Sequence, residues 1–543
     1  MGNISLSAIA TENIPEIAYT SLTDMVIQSI EQFADEVAFE VAGTEMTYRE
    51  VGNHARHLAG FFQNHLGLQK GDSIALMAPN GFAFPITAIA AHMCGLTVVN
   101  VNPLYTPREL SHQLNDAKVT TLAVYDPITG TYGKIANETC VENIVIIGTE
   151  DFHENPQQPD VPDTIEKSVW MMDAIARGAD SNFEQVTLHP DDLAFLQYTG
   201  GTTGPSKGAM LSHRNILSNI TQCIMAWKER LNEGDEIIIT ALPLYHIFAL
   251  TVNFLMFFKL GAKNIIIPNP RDIDGFIAAL QDKKFTAMTG VNTLFAGLTQ
   301  IPAFRELDFS RFDICVGGGA AVIESVAREW QKITGTTICQ AYGLSETSPA
   351  LTSNDITADA FRASVGFPVP GTKIKLIDND GNTVPIGESG ELCAKGPQVM
   401  RGYWNHDDVT TDVFTDDGFF KTGDIAVMGE DGFFEIIDRK KDMVNVSGFC
   451  VYPNEIEAII TNHEAVLESA CIGVPDEKSG EAIKALVVLR ENQHIGVDEL
   501  RAYCKENMTA YKVPKYIVFV DELPKSTVGK ILRRKLREQN SGA

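Results

Sequence analysis

The sequence predicts an α/β chain with a large, multi-lobed N-terminal domain and a small α+β C-terminal domain, and three observations predict it. Strand-like and helix-like segments alternate between residues 47 and 125 and again from 193 to 345, which implies parallel sheets built from βαβ units with helices around them. After about residue 365, Gly and Asp turns become dense and separate short apolar runs, the pattern of an antiparallel β subdomain. A charged junction, Arg439-Lys440-Lys441-Asp442, then precedes a compact α+β segment. The expected domains are residues 1–440, with the β subdomain over about 365–440, and residues 441–543.

The elements follow in order. Thr47 and Glu50 form a capping box ahead of a helix that carries Val51, Ala55, Leu58, Phe62 and Leu66 on one side. Gly71-Asp72 turns into a strand at Ser73–Met77, followed by a helix at Ala83–Met93 and a strand at Thr97–Val101. Pro107 opens the next helix, and Thr120–Tyr125 is again strand-like. In the second stretch, Leu193–Gln197, Phe285–Thr289 and Asp313–Val316 read as strands, and Gly317-Gly318-Gly319 leads into a helix over Ala321–Thr334. The β subdomain turns at Asp378-Asn379-Asp380-Gly381, Asp416-Asp417-Gly418 and Glu430-Asp431-Gly432. The last segment reads as a helix near Asn454–Asn462, strands near Ala470–Val474 and Ala485–Leu489, a helix from Asp498, a strand at Tyr516–Val520 and a basic helix over Gly529–Glu538.

Composition narrows the function classes. At 543 residues and 44% apolar content the chain buries a sizeable core. A net charge of −27 excludes a general nucleic-acid binder and makes any basic cluster conspicuous. Nine dispersed cysteines without a C-x-x-C pair point to free thiols in a reducing compartment, not to a thiolate metal site. No basic region followed by an apolar run marks a signal peptide, and the longest apolar stretch, Ile247–Phe258, is too short to span a bilayer. The expected location is the cytoplasm, and the sequence is compatible with peripheral contact at the inner face of the cell membrane and with a homodimer.

Tyr198-Thr199-Gly200-Gly201-Thr202-Thr203-Gly204-Pro205-Ser206-Lys207-Gly208, opening from a buried strand, has the chemistry of a polyphosphate cradle. Glycines let backbone N–H groups approach an anion, hydroxyls add donors, and Lys207 adds a point charge. The spacing is neither a Walker A loop nor a G-x-G-x-x-G turn. Four further segments carry chemistry. Gln340-Ala341-Tyr342-Gly343-Leu344-Ser345-Glu346-Thr347 offers an aromatic face, a hydroxyl and a carboxylate suited to a nucleobase, a phosphate oxygen and Mg²⁺. Lys421-Thr422-Gly423-Asp424 places a carboxylate that can accept from a ribose diol. The 439–442 junction lies at the expected domain boundary, and Pro524-Lys525-Ser526-Thr527-Val528-Gly529-Lys530 holds a lysine at a loop tip beside Arg533, Arg534, Lys535 and Arg537. Taken singly, the first two also fit ordinary turns, the 439–442 junction a solvated charge run, and the C-terminal segment a basic helix end matched to its dipole.

Together, and in this order, the five segments resemble the adenylate-forming enzyme superfamily, and Asp417 to Glu457 resembles the signature of its bacterial long-chain fatty acid–CoA ligases. Ser345 stands where many relatives carry Thr, which keeps the hydroxyl. The resemblance implies ATP, Mg²⁺ and CoA, and a fatty acid as the acid partner. It implies that Thr199, Gly200, Gly201, Thr202, Thr203, Gly204 and Lys207 hold the β/γ-phosphates. Gly319, Ala320, Ala341, Tyr342, Gly343 and Ser345 would contact the nucleotide, Glu346 would position Mg²⁺, and Asp424 and Arg439 would hold the ribose. Lys530 would meet the carboxylate and α-phosphate, and a mobile C-terminal domain would turn about Lys441 between adenylate formation and thioester formation. Leu242–Leu250 and the apolar run after it would line the acyl pocket, with His246 near the substrate carboxylate. Residues 244–258 contain no Asp or Glu to pair an ammonium, which disfavours an amino-acid substrate. The same architecture accommodates a medium-chain or aryl-acid ligase, or an acyl-AMP ligase that loads a carrier protein.

Overall fold

The computed structural model describes residues 9–10, 13–162, 164–165, 167–199, 206–447, 449–476, 478–526 and 529–540. They fall into two compact units, one of Ala10–Lys373 with Lys395–Phe414, the other of Ile374–Ala394 with Thr415 onward.

The larger unit contains two sheets. The first runs in the order Lys207–Ser212, Leu193–Thr199, Thr97–Asn100, Ser73–Met77, Thr121–Tyr125, Asn143–Ile147 and Ser168–Trp170. All neighbours are parallel except Lys207–Ser212, which returns antiparallel on Leu193–Thr199 with Lys207 opposite Thr199. The second sheet has a parallel centre of Cys339–Gly343, Ile314–Gly317, Ala287–Gly290, Ile237–Thr240, Lys263–Ile266 and Val37–Val41. Antiparallel strands Ala350–Ser353 and Thr44–Thr47 flank that centre. Parallel strands covered on both faces need apolar side chains in both directions, and Ile74 to Met77 are fully buried as an unbroken run. The helix Ala83–Met93 is buried at every residue, so it shows no polar face. The capping box at Thr47 forms, with Thr47 and Glu50 side chains each bonded to the other's backbone, and opens the helix Tyr48–Asn64.

The smaller unit also contains two sheets. Ser389–Lys395, Phe420–Met428 and Phe434–Arg439 are antiparallel neighbours, and the Glu430-Asp431-Gly432 turn read from the sequence joins the last two. The other sheet pairs Val466–Asp476 with Gly480–Leu489 as a long hairpin, with Tyr516–Phe519 parallel to Gly480–Leu489. Helices Pro453–Thr461 and Val497–Asn507 pack Ile456, Ile460 and Leu500 on one face. Leu536 of the helix Arg533–Asn540 joins Ile472 and Leu486 on the other.

Two expected boundaries shift, each for a local reason. The helix expected from Ala321 begins at Glu324, because Val322 N–H donates to Gln340 Oε1 at 2.8 Å and Ile323 N–H to Asn292 Oδ1 at 2.9 Å, which holds that backbone extended. The basic helix expected from Gly529 begins at Arg533. Ser526 N–H donates to Lys530 O at 2.7 Å and Leu532 N–H to Pro524 O at 2.8 Å, so Lys530 stands on a hairpin bend ahead of the helix.

Cys94, Cys223, Cys315, Cys339, Cys393, Cys471 and Cys504 are buried free thiols and Cys140 an exposed one, and among the described residues no helix is long and apolar enough to cross a membrane.

Candidate active site

In open α/β sheets ligands sit beyond the carboxyl ends of the parallel strands. In the larger unit that edge collects Gly317–Gly319 after one strand, Ala341–Gly343 at the end of its neighbour, and the segment that follows Thr240. Gly318 is wedged there. A Cβ on it would stand 3.0 Å from the Phe248 ring and 3.3 Å from Ala341 O, so the three segments meet at a position where a side chain would separate them. Gly319 turns with φ +76° and leaves Gly319 and Ala320 exposed. Gly343 is equally constrained, since a Cβ would fall 1.9 Å from Pro349 O. Ala341 and Tyr342 pair with Ser353 and Thr352, and Tyr342, Gly343 and Ser345 remain partly exposed.

Glu346 follows in a short 3₁₀ turn and is buried, with Oε1 accepting from the Tyr403 hydroxyl at 2.7 Å. Burial, then the Glu346 charge, raises the Tyr403 phenol well above its usual value, so it remains a donor. Residues 400–404 pair with the hairpin of Leu193–Thr199 and Lys207–Ser212, Met210 N–H donating to Gly402 O and Trp404 N–H to Gly208 O at 2.9 and 2.8 Å. The helix Pro107–Asp116 braces that hairpin from outside. His112 Nε2 lies 2.9 Å from Ser206 O, and the Tyr198 hydroxyl donates to Asp116 Oδ2 at 2.5 Å. Thr199 and Lys207 are thus fixed as opposite residues, both partly exposed, while Gly200, Gly201, Thr202, Thr203 and Gly204 lie outside the described residues.

The apolar segment after Thr240 is held by amides. Asn80 donates to Leu242 O and Ile267 O at 3.0 and 3.1 Å and accepts from Leu244 N–H at 2.8 Å. Gln197 donates to Tyr245 O at 3.1 Å. His246 Nδ1 accepts from Phe248 N–H at 3.4 Å, which places the proton of the neutral ring on Nε2. Beyond it, Ala249–Met256 is a π-helix, buried throughout. Its Asn253 side chain donates to Thr240 Oγ1 at 3.0 Å and accepts from Thr289 Oγ1 at 2.8 Å, which satisfies a polar group inside the apolar run, while Asn264 Nδ2 donates to the Asn253 backbone carbonyl at 2.8 Å.

In the smaller unit Asp424 and Arg439 are opposite residues of adjacent strands, with Arg439 Nε 3.1 Å from Asp424 Oδ1 and Asp424 3% exposed. Gly423, at φ +72°, turns its carbonyl to accept from Lys440 N–H at 2.9 Å, and Thr422 Oγ1 accepts from Asp424 N–H at 3.1 Å. Lys530 is partly buried, and burial, then the Arg439 charge, lowers its ammonium to about 8, with Asp424 opposing and Lys441 and Arg533 adding. Crowding around the Lys441 ammonium, then Arg439, lowers it to about 8 as well, although Lys441 as a whole is exposed.

Of the basic residues after Lys530, Arg534 and Lys535 are exposed, while Arg533 and Arg537 are held by carboxylates. Arg533 bonds Glu457 Oε2 at 2.6 Å and lies 3.7 and 3.6 Å from Asp438 and Asp442, while Arg537 pairs with Asp442 and Lys525 with Glu468. Asp438 is fully buried and also accepts from Asn454 N–H at 2.8 Å. The lysine-bearing hairpin is thereby tied to the strand that ends in Arg439.

Sequence reasoning missed Tyr403, Asn80 and Gln197. Gln197 carried a signal, a polar residue in an otherwise apolar strand, and Tyr403 carried another, an aromatic following a glycine. Asn80 carried none, since its partners come from strands far away in the chain.

The AMP-binding enzyme family model matches residues 26–404, and the model of its C-terminal domain matches residues 455–530. The chain is 45% identical to a long-chain-fatty-acid–CoA ligase of Escherichia coli O6:H1 over 98% of this chain and 97% of that protein. It is 36% identical to one of Bacillus subtilis over 96% and 95%. Among solved structures, ATP-bound MatB from Rhodopseudomonas palustris superposes with a TM-score of 0.85 at 31% identity, covering 96% of this chain and 99% of that one.

Proposed function

The chain belongs to the AMP-binding enzyme family, and from that premise we propose that it is an ATP-dependent long-chain fatty acid–CoA ligase. A fatty carboxylate oxygen attacks the α-phosphorus of ATP as the bond to pyrophosphate breaks, giving an acyl-adenylate. The CoA sulfur then attacks the acyl carbon, and AMP leaves. Negative charge spreads over phosphate oxygens in the first step, so the protein contributes mainly positioned donors and cations.

Thr199, Lys207 and the glycines and threonines between them would hold the β/γ-phosphates. Gly319, Ala320, Ala341, Tyr342 and Gly343 would form the adenine wall, and Ser345 would donate to a phosphate oxygen. Asp424 and Arg439 would hold the ribose, Lys530 would meet the carboxylate and α-phosphate, and His246 Nε2–H would face the carboxylate. For thioester formation, the segment after Lys441 would turn and carry Lys530 away. Among the described residues no cluster of three acidic, His or Cys side chains could cage a metal ion. One buried carboxylate, Glu346, fits Mg²⁺, which takes one or two carboxylates and completes its shell with substrate phosphates and water. Bound there, it would neutralise phosphate charge.

The observation that carries the acyl reading is the buried run around Ala249–Met256, with no carboxylate from Leu244 to Phe258 to pair an ammonium. The proposal places the enzyme in the cytoplasm, with fatty acid, ATP and CoA as partners. CoA-dependent AMP release across a series of fatty, aryl and amino acids tests it. Release that is largest with long fatty acids supports the reading; release only with aryl or amino acids, or adenylate formation without CoA-thioester product, overturns it.

A further inference from the structure

We propose that Gln197 is a positioning residue that holds the Tyr245–His246 turn in register with the strand carrying Thr199. Gln197 is 5% exposed in a strand whose other central residues are apolar. A buried amide costs folding free energy unless both ends are bonded, and an apolar side chain of the same length would avoid that cost. Both ends are bonded here. Oε1 accepts from Asn100 Nδ2 at 2.9 Å, and Nε2 donates to Tyr245 O at 3.1 Å.

The connection extends in both directions. Asn100 O accepts from Gln113 Nε2 at 2.8 Å, and Gln113 sits on the helix whose His112 and Asp116 brace Ser206 and Tyr198 of the phosphate hairpin. On the other side, Asn80 fixes Leu242 and Leu244, and Gln197 fixes the next carbonyl, immediately before His246. One bonded path therefore runs from the hairpin at Thr199 and Lys207 to the turn that orients His246. Gln197 touches neither substrate in this account. It sets where His246 Nε2–H stands relative to the phosphates.

The inference rests on the reading of His246 as a group facing the acyl carboxylate, and a double-mutant cycle separates the two. Gln197→Met removes both side-chain bonds while keeping length. Gln197→Glu keeps the acceptor for Asn100 and loses the donor to Tyr245 O. Steady-state rates with a long-chain fatty acid, ATP and CoA are measured for each, alone and with His246→Ala, alongside denaturation midpoints. Both Gln197 variants are expected to lower kcat by about tenfold, the scale of one lost hydrogen bond, with KM for ATP little changed. In the His246→Ala background neither should lower it further. An equal further loss there, with His246→Ala itself impaired, overturns the inference and leaves the His246 reading standing. Full activity of His246→Ala overturns both. Full activity of the Gln197 variants overturns the inference alone.

Discussion

The Tyr403 hydroxyl donates to Glu346 Oε1 at 2.7 Å, and Met400 N–H donates to Glu346 O at 2.8 Å, so side chain and backbone of the buried Glu346 are both oriented from the 400–404 stretch. Glu346 is 8% exposed, and a buried carboxylate needs hydrogen-bond donors to offset its lost hydration. The phenol supplies one such donor without adding charge.

Tyr403→Phe removes that donor and little volume. Adenylate formation, read as fatty-acid-dependent ATP–pyrophosphate exchange, is expected to fall by about tenfold, on the scale of about 1.4 kcal/mol for a hydrogen bond to a charged group, and to need more Mg²⁺ for half-maximal rate. An unchanged rate and Mg²⁺ dependence would remove Tyr403 from the account.

Arg533, largely covered, lies among Asp438, Asp442 and Glu457. Arg533→Ala leaves carboxylates without their cation and is expected to destabilise the smaller unit by about 3–5 kcal/mol. Arg533→Lys is expected to recover little, because one ammonium cannot match both the Glu457 carboxylate and Asn454 Oδ1. Urea unfolding followed at a probe in that unit measures both. A loss below about 1 kcal/mol would show that the network is not needed for folding.

His92 and His213 meet edge to face at 5.3 Å, and both are buried. Burial lowers His92 to about 4 and His213, helped by the His92 charge, to about 3. A folded pKa below the unfolded value of about 6.5 means that the unfolded chain binds protons first as pH falls. Stability is therefore fully present above about pH 6.5 and is lost on acidification, by about 1.4 kcal/mol per pH unit for each ring, until His92 titrates near 4 and His213 near 3. Denaturant midpoints from pH 7.5 to 4 are expected to decline with that slope, and His92→Gln to flatten it. A midpoint independent of pH in the wild type would contradict the assignment.

Much of this fold is legible where periodicity or turn chemistry is local. Ser73–Met77 and Ala83–Met93 fall as the apolar pattern places them, and the capping box at Thr47 starts its helix. What is not legible depends on distant partners. The π-helix Ala249–Met256 lies in an apolar run with no period to read, and its Asn253 side chain bonds Thr240 and Thr289 on two neighbouring strands. The start at Glu324 depends on Gln340 and Asn292, and the hairpin at Lys530 on Pro524. At the site, the glycines and Glu346 announce themselves in sequence. Tyr403, which bonds Glu346, and Gln197, which bonds Tyr245 O, carry only weak signals, and Asn80 none, because their chemistry is generic and only their placement is specific.

The central claim is that Lys530, on the hairpin beside Asp424 and Arg439, serves adenylate formation and not thioester formation. The most direct measurement compares the two half-reactions of Lys530→Ala: acyl-adenylate from fatty acid and ATP, and acyl-CoA from supplied acyl-adenylate and CoA. The account predicts that the first is lost and the second largely retained. An equal fall of both in a folded variant would contradict it.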